Sequence, residues 1–111
     1  MARIDPLGFY RVMEIMDDPP TKIGYGYRTE IRHSDMGYVA YIYAFGNSVD
    51  LYDRLVVFDF GDSEGDPRYY VYSTREGMDY HAWGLGGLRN AVCDIVGDTE
   101  EAIDWLLMVG L

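Results

Sequence analysis

The chain has 111 residues and carries 19 acidic side chains against 9 Lys and Arg, a formal net charge of −10 at pH 7, with 49% hydrophobic and 25% charged residues. That length suits one domain spanning residues 1–111, and the apolar content is high enough to bury a core and too high for a disordered chain. The charge argues against direct binding to DNA, RNA or an anionic membrane, which relies on Lys and Arg meeting phosphates, and favours cationic partners.

Acidity also has bland causes. It aids solubility, and a salt-adapted or GC-rich source would give the same balance, with Lys22 as the one lysine. Cys93 is the single cysteine, so no intramolecular disulfide can form and a reducing compartment is the expectation. The stretch Met1-Ala2-Arg3-Ile4-Asp5-Pro6 lacks the apolar run of a signal peptide, and no apolar stretch approaches a membrane span. A soluble, cytoplasmic protein is therefore expected.

In chain order, residues Gly8 to Met16 read as a first strand, with Phe9, Met13 and Ile15 on one face, although a short helix fits too. Asp17-Asp18-Pro19-Pro20 stops it, because proline lacks an amide donor and restricts its predecessor. Ile23 to His33 alternates cleanly. Ile23, Tyr25, Tyr27, Thr29 and Ile31 share one face, and Gly24, Gly26, Arg28, Glu30 and Arg32 share the other, which predicts one strand with a buried and a wet face. Gly24 and Gly26 should weaken it.

Ser34-Asp35-Met36-Gly37 is turn chemistry, and Tyr38 to Phe45 follows as a third strand. After a Gly46-Asn47 turn, Leu51 to Phe60 is the fourth strand, Gly61 to Pro67 an acidic loop, and Arg68 to Thr74 the fifth strand. Glu76 to Gly84 reads as irregular. Leu88, Val92, Ile95 and Val96 then form a helical stripe that Gly97 can end in the left-handed conformation. Asp98 can cap a second helix, with Glu101 completing a capping-box-like pair and Ala102, Ile103, Leu106 and Leu107 supplying its apolar face. The predicted class is α+β: a meander-like antiparallel sheet of about five strands, followed by two short C-terminal helices packed on one face.

No motif for catalysis stands out, and neither a metal nor a cofactor is expected. Asp59, Asp62, Glu64 and Asp66 place alternate carboxylates in a loop, but Pro67 stands where a calcium loop needs glycine and Ser73 where it needs a bidentate glutamate. Gly84-Leu85-Gly86-Gly87 precedes a helix, yet Arg89 occupies the position of the last glycine in a dinucleotide fingerprint, so the cluster reads as a flexible helix entry. His33 and His81 lack the close His or Cys neighbours of a zinc site, and Cys93 reads as a small buried hydrophobe.

The 11 tyrosines favour strands and core packing, while exposed ones suit protein interfaces. Stacking of single-stranded bases has Arg28 and Arg32 as its one basic nucleus and runs against the net charge. Beyond Arg89 no basic residue follows, whereas Asp94, Asp98, Glu100, Glu101 and Asp104 do. Part of that run has a structural cause, since acids favour a helix start.

Three functional expectations follow. The first is an acidic, non-enzymatic inhibitor that occupies a basic, nucleic-acid-binding surface of a partner protein. In size and charge it is comparable to nucleic-acid mimics such as anti-CRISPR, anti-restriction and nuclease-immunity proteins. Its steering acids would be Asp59, Asp62, Glu64, Asp66, Asp98, Glu100, Glu101 and Asp104, with Tyr69 and Tyr70 as anchors. The second is a small enzyme or ligand-binding domain with a pocket formed by Tyr80, His81, Trp83 and Arg89. The third is an accessory subunit, a homodimer joined through a strand edge.

Overall fold

The computed structural model describes residues 14–15, 17–24, 29–45, 54–62 and 65–111. Six strands form one antiparallel sheet in sequence order: β1 (Lys22–Ile23), β2 (Thr29–His33), β3 (Val39–Ala44), β4 (Arg54–Asp59), β5 (Tyr69–Ser73) and β6 (Met78–Ala82). Two helices follow, α1 (Leu85–Val96) and α2 (Thr99–Met108). The architecture is the α+β meander with C-terminal helices that the sequence predicts. No helix among the described residues is long and apolar enough to cross a membrane.

The expected third, fourth and fifth strands are β3, β4 and β5. The long alternating strand is not one strand. Lys22 and Ile23 pair with Ile31 and Glu30, so the chain reverses between them. The reversal begins at Gly24, which has a φ of +89° that only glycine adopts without strain, and whose N–H donates to the Thr29 carbonyl at 2.8 Å. The register sets Ile23 opposite Glu30 and Lys22 opposite Ile31, so the common face expected for Ile23 and Ile31 is broken at the turn. Tyr25, Tyr27 and Arg28 lie outside the described residues, as does the Gly46-Asn47 turn.

Two further expectations are corrected. Glu14, Ile15 and Asp17 are helical, and the Asp18 N–H donates to the Glu14 carbonyl at 3.2 Å, so the first strand is not formed there. Met78 to Ala82 is a strand, not an irregular segment. Thr74 to Gly77 closes it onto β5, with the Gly77 N–H donating to the Ser73 carbonyl at 2.9 Å. In β6 the apolar positions Met78, Tyr80 and Ala82 alternate with Asp79 and His81. The alternation is regular and was readable in the sequence; the burial of Asp79 was not.

Both faces of the sheet are covered. On one, Tyr43, Leu55, Val57, Tyr69, Val71 and Ala82 pack against Leu88, Ala91, Val92 and Ile95 of α1 and Ala102, Trp105 and Leu106 of α2. On the other, Ala40, Ile42, Val56, Phe58, Tyr70 and Tyr72 pack with Ile15 and Tyr38. This second cover is why β2 has no wet face. Arg32 is buried, and its guanidinium donates to the Glu30 carboxylate at 2.8 and 3.3 Å and to the Ile15 carbonyl. The basic nucleus imagined for base stacking is therefore an internal tie at Arg32.

The helix ends follow their local chemistry. Gly97 takes a φ of +80°, and its N–H returns to the Cys93 carbonyl at 2.9 Å, which ends α1. Asp98 then caps α2 by accepting the Glu101 N–H at 3.1 Å. At the far end Leu111 N–H reaches the Leu106 carbonyl at 2.7 Å and Gly110 N–H the Leu107 carbonyl at 3.2 Å, the paired bonds of a Schellman stop. Helix α1 begins earlier than its stripe suggests, at Leu85, with Gly84 providing no side-chain cap.

Gly86 sits inside that first turn with open space where a Cβ would lie, whereas a Cβ on Gly87 would meet Ala82 at 3.4 Å. Gly86→Ala is accordingly expected to raise stability by about 0.5–1 kcal/mol, seen as a higher urea midpoint. A midpoint at or below the parent value would contradict this placement of the first turn.

Candidate functional site

The most concentrated charge in the described structure lies on α2. Asp98, Glu100, Glu101 and Asp104 line one shallow surface depression of about 260 Å³. Spacings of three and four residues put these side chains on adjoining turns of one helix. Each has a distinct local setting. Asp98 is spent on the cap. Glu101 is half-buried and accepts the Tyr43 hydroxyl at 2.5 Å, so its carboxylate is fixed to the sheet. The capping box is thereby half-formed: the backbone bond is present, and the Glu101 side chain turns to Tyr43. Glu100 and Asp104 are exposed.

Beside them the outer surface of α2 carries exposed Ile103, Leu107 and Met108. Of the four apolar residues expected to face inward, Ala102 and Leu106 do, while Ile103 and Leu107 face out. The inward position that sequence reasoning missed is Trp105. It is fully buried, with its indole N–H donating to the Thr29 hydroxyl at 2.8 Å and its ring edge-on to Tyr43 at 5.7 Å. Its spacing of three from Ala102 was the available signal.

The second acidic group is different in kind. Asp59 accepts two bonds from Arg68, at 3.0 and 3.2 Å, and Arg68 reaches Asp62 at 3.3 Å. Hydrogen bonding and charge from Asp59 hold the Arg68 guanidinium above its ordinary range. Asp59 also accepts the Gly61 N–H at 2.9 Å. Arg68 ties Asp59 and Asp62 into a corner of the sheet, and Asp66 is exposed nearby. Glu64 lies outside the described residues.

Register places Asp59 opposite Val39 and Tyr69, whereas Tyr43, the ring that holds Glu101, stands opposite Leu55. Along the strands Asp59 is therefore four residues, roughly 13 Å, from the register position of Tyr43. Tyr69 and Tyr70 are 2% and 3% exposed, so as placed they serve the core and offer no ring to a partner.

The pocket expected from Tyr80, His81, Trp83 and Arg89 is not assembled. Tyr80 packs on the helix side of β6, and His81 lies on the opposite side, 4.9 Å from the Tyr70 ring. Trp83 is exposed at the β6–α1 junction, and Arg89 is exposed on α1. Among the described residues no cluster of His, Cys, Asp and Glu is placed to hold a metal ion.

The tyrosines instead build an aromatic layer on the second face. Phe60 stacks on Phe58 at 5.9 Å, Phe58 on Tyr70 at 5.9 Å, and Tyr70 on Tyr72 at 6.4 Å. Asp79 is buried at its end and accepts the Tyr70 hydroxyl at 3.3 Å.

Burial raises the phenols of Tyr41, Tyr69 and Tyr72 above 10.0; the Asp59 charge adds to this at Tyr41 and the Asp79 charge at Tyr72. Below pH 10 these groups are neutral in folded and unfolded chains alike and leave stability unchanged. Above it the unfolded chain loses phenolic protons first, so stability falls as pH rises toward the folded values. Thermal melts should therefore weaken steeply above pH 10, with tyrosinate absorbance appearing together with unfolding. Full, non-cooperative tyrosine titration in a chain that stays folded would contradict the burial.

Nothing among known protein families, curated proteins or solved structures matches this chain.

Proposed function

We propose that the chain is an acidic binding protein that uses the face of α2 to occupy a basic, nucleic-acid-binding surface of a partner protein. The observation that carries this reading is the convergence of Asp98, Glu100, Glu101 and Asp104 on one depression, in a C-terminal stretch with no Lys or Arg beyond Arg89. Carboxylates held on a helix present anionic groups at fixed spacing, as a phosphate backbone does, and steer association with a cationic surface. Tyr43 and the capping bond hold two of the four in place, which lowers the ordering cost on binding. The Asp59–Arg68 corner takes a structural part in this scheme.

The test is affinity capture from extract of the source cells at low and high salt, with a Glu100→Lys/Asp104→Lys variant alongside. One basic nucleic-acid-binding protein should be enriched at low salt, released by added nucleic acid, and lost with the variant. Capture that is unaffected by charge reversal and by competing nucleic acid would defeat the proposal.

A further inference from the structure

The inner side of α2 buries Ala102, Trp105 and Leu106. Its outer side is one stripe, because Glu100, Ile103, Asp104 and Leu107 recur at i, i+3, i+4 and i+7. Single exposed apolar side chains are common on protein surfaces, whereas adjoining ones mark contact sites. Here Ile103 is 37% exposed, Leu107 63% and the adjoining Met108 46%. Leucine and methionine are good helix formers, but isoleucine is a weaker one, so propensity does not explain an exposed Ile103 beside Leu107. The result is a short apolar ridge of Ile103 and Leu107 beside carboxylates, with Met108 one step round the helix, about 8 Å from Ile103 to Met108 along the axis.

We infer that this ridge docks an amphipathic helix of the partner whose apolar strip is flanked by Lys and Arg. Charge complementarity selects that occupant. Glu100 borders the apolar side chains, and neither α2 nor the residues after it contain a base. A partner that offered charge alone would leave Ile103, Leu107 and Met108 in water; one that offered apolar surface alone would desolvate carboxylates without compensation. A basic amphipathic helix meets both demands through ridge-into-groove contact. The inference rests on the acidic-binding reading above and adds that the contact is not purely electrostatic. The ridge is small for a stable interface, so it forms the centre of a larger contact or a transient one.

The probe is a pair of synthetic Leu/Lys peptides of identical composition, one arranged as an amphipathic helix and one scrambled, titrated by fluorescence anisotropy against the full chain at moderate salt. The amphipathic peptide should bind about tenfold more tightly than the scrambled one, and Leu107→Ser should remove that advantage. Leu107 is largely exposed, so the variant keeps the parent's circular dichroism and melting temperature. Equal binding of both peptides, unaffected by Leu107→Ser, would overturn the docking inference and leave the acidic reading standing. No binding of either peptide, together with capture of a basic protein that depends on Glu100 and Asp104, would also overturn it. Failure of that capture as well would remove the parent reading.

Discussion

Trp105→Ala is expected to cost the fold about 3–5 kcal/mol, the largest effect of any single truncation considered for this chain. The side chain is the bulkiest of those fully buried, and it joins three elements. From α2 it reaches the Tyr43 ring on β3 and donates its indole N–H to the Thr29 hydroxyl on β2. Alanine removes the ring's burial, leaves a cavity that the sheet cannot close, and deletes the hydrogen bond. A small domain is typically stable by only about 5–15 kcal/mol, so the variant should sit near the edge of folding at ordinary temperature. Urea unfolding followed by far-UV circular dichroism would show a much lower midpoint with an unchanged slope. Thr29→Val separates the components: it keeps the ring and deprives the indole N–H of its acceptor, at a cost of about 1–3 kcal/mol. If Trp105→Ala lost less than about 1 kcal/mol, the burial of this residue would be refuted.

Arg32→Met should be nearly as damaging, at about 3 kcal/mol, for a different reason. The guanidinium is buried between β2 and the helical segment bearing Ile15. Methionine fills much of the space but leaves the Glu30 carboxylate, 28% exposed, without its counter-charge, and frees the Ile15 carbonyl. A double-mutant cycle resolves this. Once Glu30→Gln has removed the stranded charge, adding Arg32→Met should cost clearly less than it does alone. Additive losses would mean that the pair is not coupled. The distinction matters because a basic residue on a strand face is readily taken for a binding residue, and here it is a fastener between the two layers.

Much of the fold was legible because its signals are local. Strands β3, β4 and β5 are apolar runs between turn residues, Leu88, Val92 and Ile95 carry a helical period, and Gly97-Asp98 is a stop followed by a cap. What could not be read depends on contacts between distant residues. The Gly24 reversal shifts the alternation, because Ile23 falls on the face of Glu30 and not on that of Ile31, and only the cross-strand register reveals it. The alternation of β6 was in the sequence, at Met78, Tyr80 and Ala82 against Asp79 and His81, whereas the burial of Asp79 comes from the layer on the second face.

The site was half legible for the same reason. The acids of α2 are adjacent in sequence, so their convergence could be anticipated. The pairing of Asp59 with Arg68 crosses from β4 to the start of β5, and the outward turn of Ile103 and Leu107 depends on Trp105 claiming the inner face.

The order of the strands in the sheet bears on how the molecule assembles. Every strand pairs with its neighbour in the chain, so each step of the sheet closes a short loop at low entropic cost, and hairpins can add one after another at either end. The longest closures are those made by α2: Trp105 to Thr29 spans 76 residues and Glu101 to Tyr43 spans 58. The last helix is therefore the latch of the described structure, closing the longest loops across β2 and β3. Its inner side secures that closure while its outer side carries the carboxylates and the apolar ridge, so the spacing of those groups against the sheet depends on the most distant contacts in the fold.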